Sequence, residues 1–209
     1  MPKFVRLKTY QPKDSLWIKE VTGINKIAEQ NSYKSEFIDN IGSPNITFSN
    51  KSAKLTDYVG GVGTSFRIVS HRLKKVLDLL SDKRYIQFFE CDSNYTKKAK
   101  FYIMHILGYL DCFDWENSKY IKRTTAANKN EFWADKITEL MMLEDVIGNR
   151  NIFRMSQSMA NIFISKKLEN IILEKQLRVT LVRTQDLTQL TDVDPNNPSL
   201  AIWGHENIR

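Results

Sequence analysis

The chain has 209 residues, 42% of them hydrophobic, enough for one sizeable core or two small ones. Its 31 Lys and Arg against 24 Asp and Glu leave a formal charge of +7, spread in short clusters such as Lys97-Lys98-Ala99-Lys100 with no arginine-rich arm. The balance permits an anionic partner but argues against a nucleic-acid footprint, and the absence of an apolar leader core or a run of about 18 apolar residues argues against secretion and membrane insertion, so a cytoplasmic chain is expected.

Taken in order, Phe4 to Thr9 places Val5, Leu7 and Thr9 on one side of a short strand, and Leu16 to Val21 reads as a second. Between Ile24 and Ile41 the apolar spacing is helical only at its two ends, because "EQNSYKSE" interrupts it. From Gly42 to Thr64 the chain is rich in Gly, Ser, Asn and Thr, which predicts turns and no core element. Within it "GGVGTS" has no following Lys-Ser/Thr and no helix directly behind its glycines, so a flexible loop is expected there instead of a phosphate cradle.

A phrase then occurs twice. Phe66, Ile68 and Val69 make a buried strand, Ser70 stands at a helix N-cap, and Leu73, Val76, Leu77 and Leu80 form an apolar stripe. "SDKR" ends that helix and "YIQFFE" returns as a strand. With Ser165 standing 95 positions after Ser70, the grammar repeats: Ile162, Phe163 and Ile164 are the strand, Leu168, Ile171 and Ile172 the stripe, and "RVTLVR" the return. Neither short helix can bury its face alone. The predicted fold class is therefore α+β, with two strand-helix-strand units docked on a mostly antiparallel sheet and few short helices. A single domain over 1–209 is expected, divided into a 1–60 N-terminal lobe, a 61–190 repeat-containing core and a 191–209 tail.

Between the copies, "KAKFYIMHILGYLDCF" alternates too little to separate a buried strand from a short helix. Ile137 to Leu143 reads as a strand, "EDVIGNRN" as a turn region and Ile152 to Met155 as a short strand. "TDVDPNNPS" reads as loop and "LAIW" as a terminal strand or docked tail.

The residues name no reaction. Cys91 and Cys112 lack ligand spacing and read as free thiols. His71, His105 and His205 are far apart, with no acidic or cysteine neighbour at ligand spacing, so no catalytic residue, metal or cofactor is expected. "DCFDWENS" gathers Asp111, Asp114 and Glu116 around Trp115 without the rhythm of a calcium loop. Turn formation explains those carboxylates at least as well as a site does, and a patch for a basic partner is the functional alternative.

The order of these phrases is similar to that of a known family. "TSFRIVSHRLKKVL", "YIQFFE", "KFYIMHILGYLDCFDWENS" and "NIFRMSQSMANIFISKKLENIILEKQLRVTLVR" resemble bacterial immunity proteins of polymorphic-toxin systems, closest to immunity protein family eleven. Ile152, Phe153, Arg154 and Met155 fit its "I-F-R-(apolar)" phrase. Ile162, Phe163, Ile164, Ser165 and Leu168 fit its strand-to-helix phrase, and Asp111, Asp114 and Ser118 fit a "D-x-x-D-x-x-x-S" phrase. The resemblance implies a non-enzymatic cytoplasmic protein that binds a cognate toxin effector domain and blocks it. On that implication Asp111, Asp114, Trp115 and Glu116 are the candidate toxin contacts. The competing reading is a basic nucleic-acid-binding accessory protein, which requires salt-sensitive DNA or RNA binding.

Overall fold

The computed structural model describes residues 4–9, 12–61, 66–81, 83–124, 131–183 and 202–205. Among them the chain runs through β1 (Phe4–Lys8), β2 (Trp17–Ile24), α1 (Lys26–Lys34), β3 (Gly42–Phe48), β4 (Tyr58–Gly61), β5 (Arg67–Ser70), α2 (His71–Leu80), β6 (Ile86–Ser93) and β7 (Phe101–Ile106). It continues through β8 (Lys119–Thr124), β9 (Glu131–Glu139), the single-turn α3 (Glu144–Ile147), β10 (Ile152–Met155), β11 (Ser158–Ser165), α4 (Lys166–Glu174), β12 (Thr180–Arg183) and β13 (Ile202–His205). The fold is α+β with mostly antiparallel pairing. It divides into two compact units, one of Met1–Leu7, Tyr109–Lys166 and Leu181–Arg209, the other of Lys8–Gly108 and Lys167–Thr180.

The second unit is built on a closed barrel in the order β2-β3-β6-β7-β5-β4. The stretch that periodicity left open, around "FYIMHI", is β7, paired with β5 and β6 on its two edges and buried at every position. Leu16, Ile18, Ile46, Phe48, Ile68, Phe101 and Ile103 fill the core, with the Phe101 ring 4.9 Å from Phe48 and 5.6 Å from Tyr95.

The expected turn region from Gly42 to Thr64 is corrected here, since it contributes β3 and β4. In β3 the buried Pro44, Ile46 and Phe48 alternate with Ser43, Asn45 and Thr47, so turn-forming residues occupy the outward positions of a barrel strand. Gly60 and Gly61 end β4, and a Cβ on Gly61 would run into Ile18 of β2, with which it pairs in parallel. Val62–Ser65 of "GGVGTS" lie outside the described residues. The interruption "EQNSYKSE" also proves mostly helical. Asn25 caps α1, its Oδ1 accepting from the Ile27 and Ala28 amides at 2.9 and 3.1 Å. The buried side of α1 carries the small residues Ala28 and Ser32, one turn apart, which an apolar count does not register.

Both copies of the repeated phrase form the expected strand and helix. Ser70 caps α2, its Oγ accepting from Leu73 N–H at 3.3 Å, and Leu73, Val76 and Leu77 are buried. Leu168 and Ile172 of α4 are buried likewise. The two phrases do not share a sheet, however. β5 lies in the barrel between β4 and β7, whereas β11 lies in a four-stranded sheet ordered β10-β11-β1-β12. The return strands leave their partners: β6 pairs with β3 and β7, and β1 from the chain's start inserts between β11 and β12, with Val5 opposite Ile164.

A polar clasp recurs with the phrase. Asp57 accepts from the Ser70 hydroxyl at 2.5 Å, and its carbonyl accepts from Ser70 N–H at 3.0 Å. In the second copy Asn151 makes the same pair of bonds to Ser165, at 2.7 and 3.0 Å. Each clasp ties the start of a hairpin to the residue that precedes a helix.

The first unit holds the four-stranded sheet and a second sheet ordered β13-β9-β8. Its core gathers Cys112, Phe113, Ile137, Ile147, Phe153 and Phe163, with Phe4 edge-on to Phe153 at 5.3 Å. "EDVIGNRN", expected as a turn region, contributes the single-turn α3, and the strand expected over Ile137 to Leu143 begins earlier, in β9. "TDVDPNNPS" lies outside the described residues, and part of "LAIW" enters β13. No helix among the described residues is long and apolar enough to cross a membrane.

Candidate functional site

The acidic phrase "DCFDWENS" follows β7 in the chain and is stitched into the first unit along its whole length. Leu110 N–H donates to the Arg154 carbonyl at 2.9 Å, and Ser156 N–H donates to the Leu110 carbonyl at 2.8 Å. Further on, Leu143 N–H reaches the Cys112 carbonyl at 2.9 Å and Asp114 N–H the Met141 carbonyl at 3.1 Å, either side of an antiparallel bridge between Phe113 and Met142. Ser118 closes the segment: its Oγ accepts from Met141 N–H at 3.0 Å and lies 3.3 Å from the Met141 carbonyl, to which it donates.

Each residue of the "D-x-x-D-x-x-x-S" phrase therefore has a structural task. Asp111 is exposed and accepts a hydrogen bond from the side-chain amide of Gln157, which is itself buried. Asp114 builds the turn: Oδ1 accepts from Glu116 N–H at 3.1 Å and Asn117 N–H at 3.0 Å, and Oδ2 from the Asn117 amide at 2.7 Å. Trp115 is half-buried, edge-on to Phe113 at 4.3 Å and to Tyr120 at 5.4 Å. Glu116 points into solvent at the exposed tip. The turn reading and the patch reading of this phrase thus apply to different residues, Asp114 serving the first and Glu116 open to the second.

Burial pushes the Asp114 carboxyl up, but its hydrogen bonds to Asn117 and Glu116 outweigh that and hold it below its ordinary 3.8. A depressed folded pKa means that the contribution of this turn is complete above the ordinary value and is lost as pH falls through the folded one. Asp114→Ala is expected to cost about 1 kcal/mol at neutral pH, the usual net worth of such bonds, and to cost less once the carboxyl is protonated. Urea unfolding of both chains at neutral pH and in acid checks both halves of that expectation.

Met141 and Leu143 were not singled out in the sequence, where "MML" reads as the end of the strand expected over Ile137 to Leu143. Phe113 is buried in the core and Met142 packs partly buried against it, while Asp114 is half-buried and Met141 and Leu143, on either side of Met142, are exposed. Met141 is 43% exposed and Leu143 37%, and the exposed Glu144 and Asp145 follow directly as α3 begins. Only the pairing reveals this, because an apolar run carries no mark of which residues face solvent.

Other candidate chemistry resolves into structure. Cys91 and Cys112 are free and buried, and burial pushes both thiols up to about 12, so neither is a thiolate near neutral pH. His105 is 2% exposed, with Nε2 2.7 Å from the Glu36 carbonyl, to which it donates. His71 stands half-exposed in the first turn of α2, and His205 falls in β13. Among the described residues no group of three or more His, Cys, Asp or Glu gathers to hold a metal ion.

Charge is divided unevenly. The second unit carries 19 Lys and Arg against 12 Asp and Glu, while the first carries 12 of each, so the excess of +7 belongs wholly to the second. Within the balanced first unit, residues 109–118 and 139–148 hold six carboxylates and no Lys or Arg.

A family model described as Immunity protein family (Imm11) matches residues 8–187. No curated protein matches the chain.

Proposed function

Because the chain belongs to the Imm11 immunity protein family, we propose that it protects the cell that makes it by binding a cognate toxin domain in the cytoplasm and occluding it, with no reaction of its own. The observation that carries this reading is the family match over residues 8–187, which takes in residues of both units. Occlusion asks for a preformed surface with a few strong contacts and not for a reactive group. The loop of Asp111, Asp114, Trp115 and Glu116 suits that task, since its backbone is fixed by bonds to Met141, Leu143 and Arg154 while Glu116 and Asp111 remain exposed.

Co-expression with the toxin domain encoded beside this protein's own gene tests the proposal. Cells are expected to survive and the two chains to co-purify. Death of the cells would count against an immunity role, whereas survival without a complex would count against occlusion. Binding of DNA or RNA at low salt with a steep salt slope, in the absence of any toxin, is the result that the nucleic-acid reading requires.

A further inference from the structure

We infer that the toxin domain also meets one end of the barrel, where Lys51, Lys97 and Lys98 stand together, and that the toxin surface facing them is acidic. The inference rests on the immunity reading and adds to it a contact in the second unit and the chemistry of its partner.

Three observations support it. The first is placement. The turn after β3 and the turn between β6 and β7 are joined: Thr96 donates to the Lys51 carbonyl from its N–H at 3.2 Å and from its hydroxyl at 3.0 Å, and the Tyr95 hydroxyl donates to the Ala53 carbonyl at 3.1 Å. Residues 49–56 and 93–100 thereby bring five lysines and no Asp or Glu to one end of the barrel. The second is local balance. Two of the carboxylates beside these turns are already engaged, Asp14 with Lys54 at 3.3 Å and Arg178 at 2.8 Å, and Glu90 with Lys100 at 2.6 Å. Lys51, Lys97 and Lys98 are exposed, with no ion pair among the described residues. Counting Lys13 and Arg178 with the five lysines, and Asp14, Glu90 and Asp92 against them, this end holds seven basic groups and three acidic ones, more than half of the formal excess of +7. Nearby, Lys19 and Glu20 of β2 cancel, and the buried Asp57 faces Arg72 at 3.4 Å. The third is chemistry. Like charges held on joined turns repel one another, a cost that an anionic partner removes while its approach is accelerated. An acidic protein face asks only for point charges, which lysines supply. A phosphate backbone fits less well, because the Arg178 guanidinium is held by Asp14 and the Tyr95 ring is buried, so neither a bidentate fork nor a stacking platform is offered.

The test is the association rate and affinity of the full chain for the toxin domain encoded by the adjoining gene, measured at low and high salt. Lys51→Glu with Lys97→Glu and Lys98→Glu is expected to slow association at least tenfold at low salt and to flatten its salt dependence. Arginine at the same three positions keeps the charge and is expected to keep the rate. Lys26→Glu with Lys75→Glu and Lys83→Glu changes the net charge equally at exposed positions elsewhere in the second unit, and is expected to alter the rate by no more than about twofold. All these side chains are exposed, so unfolding midpoints close to wild type verify that each variant is folded. A wild-type rate in the Lys51/Lys97/Lys98 glutamate variant, or an equal loss in the Lys26/Lys75/Lys83 variant, would overturn the surface while leaving the immunity reading intact. DNA or RNA binding that the first triple change abolishes, with toxin association unchanged, would assign this end to nucleic acid and overturn it likewise. A wild-type chain that neither binds the toxin nor protects would overturn both.

Discussion

Asp57→Ala is expected to lower the stability of the fold by about 3 kcal/mol, from two hydrogen-bond donors left without their charged acceptor. Asp57 is fully buried, and it holds together parts of the second unit that are distant in sequence. Its carboxylate accepts from the Ser70 hydroxyl at 2.5 Å and from Arg178 N–H at 2.7 Å, with the Arg72 guanidinium 3.4 Å away. Its main chain pairs with Ser70 on one side and Arg178 on the other. Arg72 in turn donates to the carbonyls of Lys175 and Gln176 just past α4, where a cation suits the helix C-terminus. Alanine leaves the Ser70 hydroxyl and the Arg178 amide without their acceptor and frees Arg72 from its counter-charge. Asp57→Asn is expected to cost less, because an amide oxygen still accepts and Asn151 makes the equivalent clasp in the second copy. Urea denaturation ranks the three chains. Alanine and asparagine variants of equal stability would show that the carboxylate is not the organising group.

The second large effect is expected at Phe113. This residue is 1% exposed, and its ring meets Trp115 at 4.3 Å and Tyr120 at 5.7 Å, both edge-on. Phe113→Ala is expected to cost about 3–5 kcal/mol through lost burial and the cavity left behind. Phe113→Leu should recover much of that, since the volume is largely kept. The same substitution tests how the proposed contact loop is supported. Phe113 bridges to Met142 directly before Asp114, Trp115 and Glu116, so loosening it frees the backbone that presents them. Toxin affinity is therefore expected to fall under conditions where the variant is still folded, by circular dichroism at low temperature. An unchanged affinity in the folded Phe113→Ala chain would show that the rigidity of this loop is not used in binding.

What the sequence made legible follows from how local each signal is. Ser70 and the stripe Leu73, Val76, Leu77 form cap and buried face as read, because a helix start is decided within one turn. β1, β10 and β12 were readable from short runs of branched and aromatic residues. Barrel closure was not, since it depends on parallel pairings of β2 with β4 and β3 with β6 that join segments with no shared local pattern. β3 was hidden by its Ser, Asn and Thr, which face outward. Asp57 looked like one more polar residue in a loop; its role appears only when Ser70 and Arg178 arrive from elsewhere in the chain. The acidic loop was visible as composition, but the division of labour within it was not. Asp114 is committed to the turn and Trp115 is half-buried among aromatic rings, while Met141 and Leu143, which help to fix the loop's backbone, come from a segment more than twenty residues later.

Calorimetric titration of the purified chain into the purified toxin domain encoded beside its gene, with the domain's toxic activity followed at each step, tests the account most directly. Occlusion predicts one saturating binding event of fixed stoichiometry and activity that falls in proportion to the complex formed, reaching zero at equivalence. Activity abolished by a small fraction of an equivalent would contradict occlusion and indicate turnover, and full activity in the saturated mixture would contradict neutralisation itself.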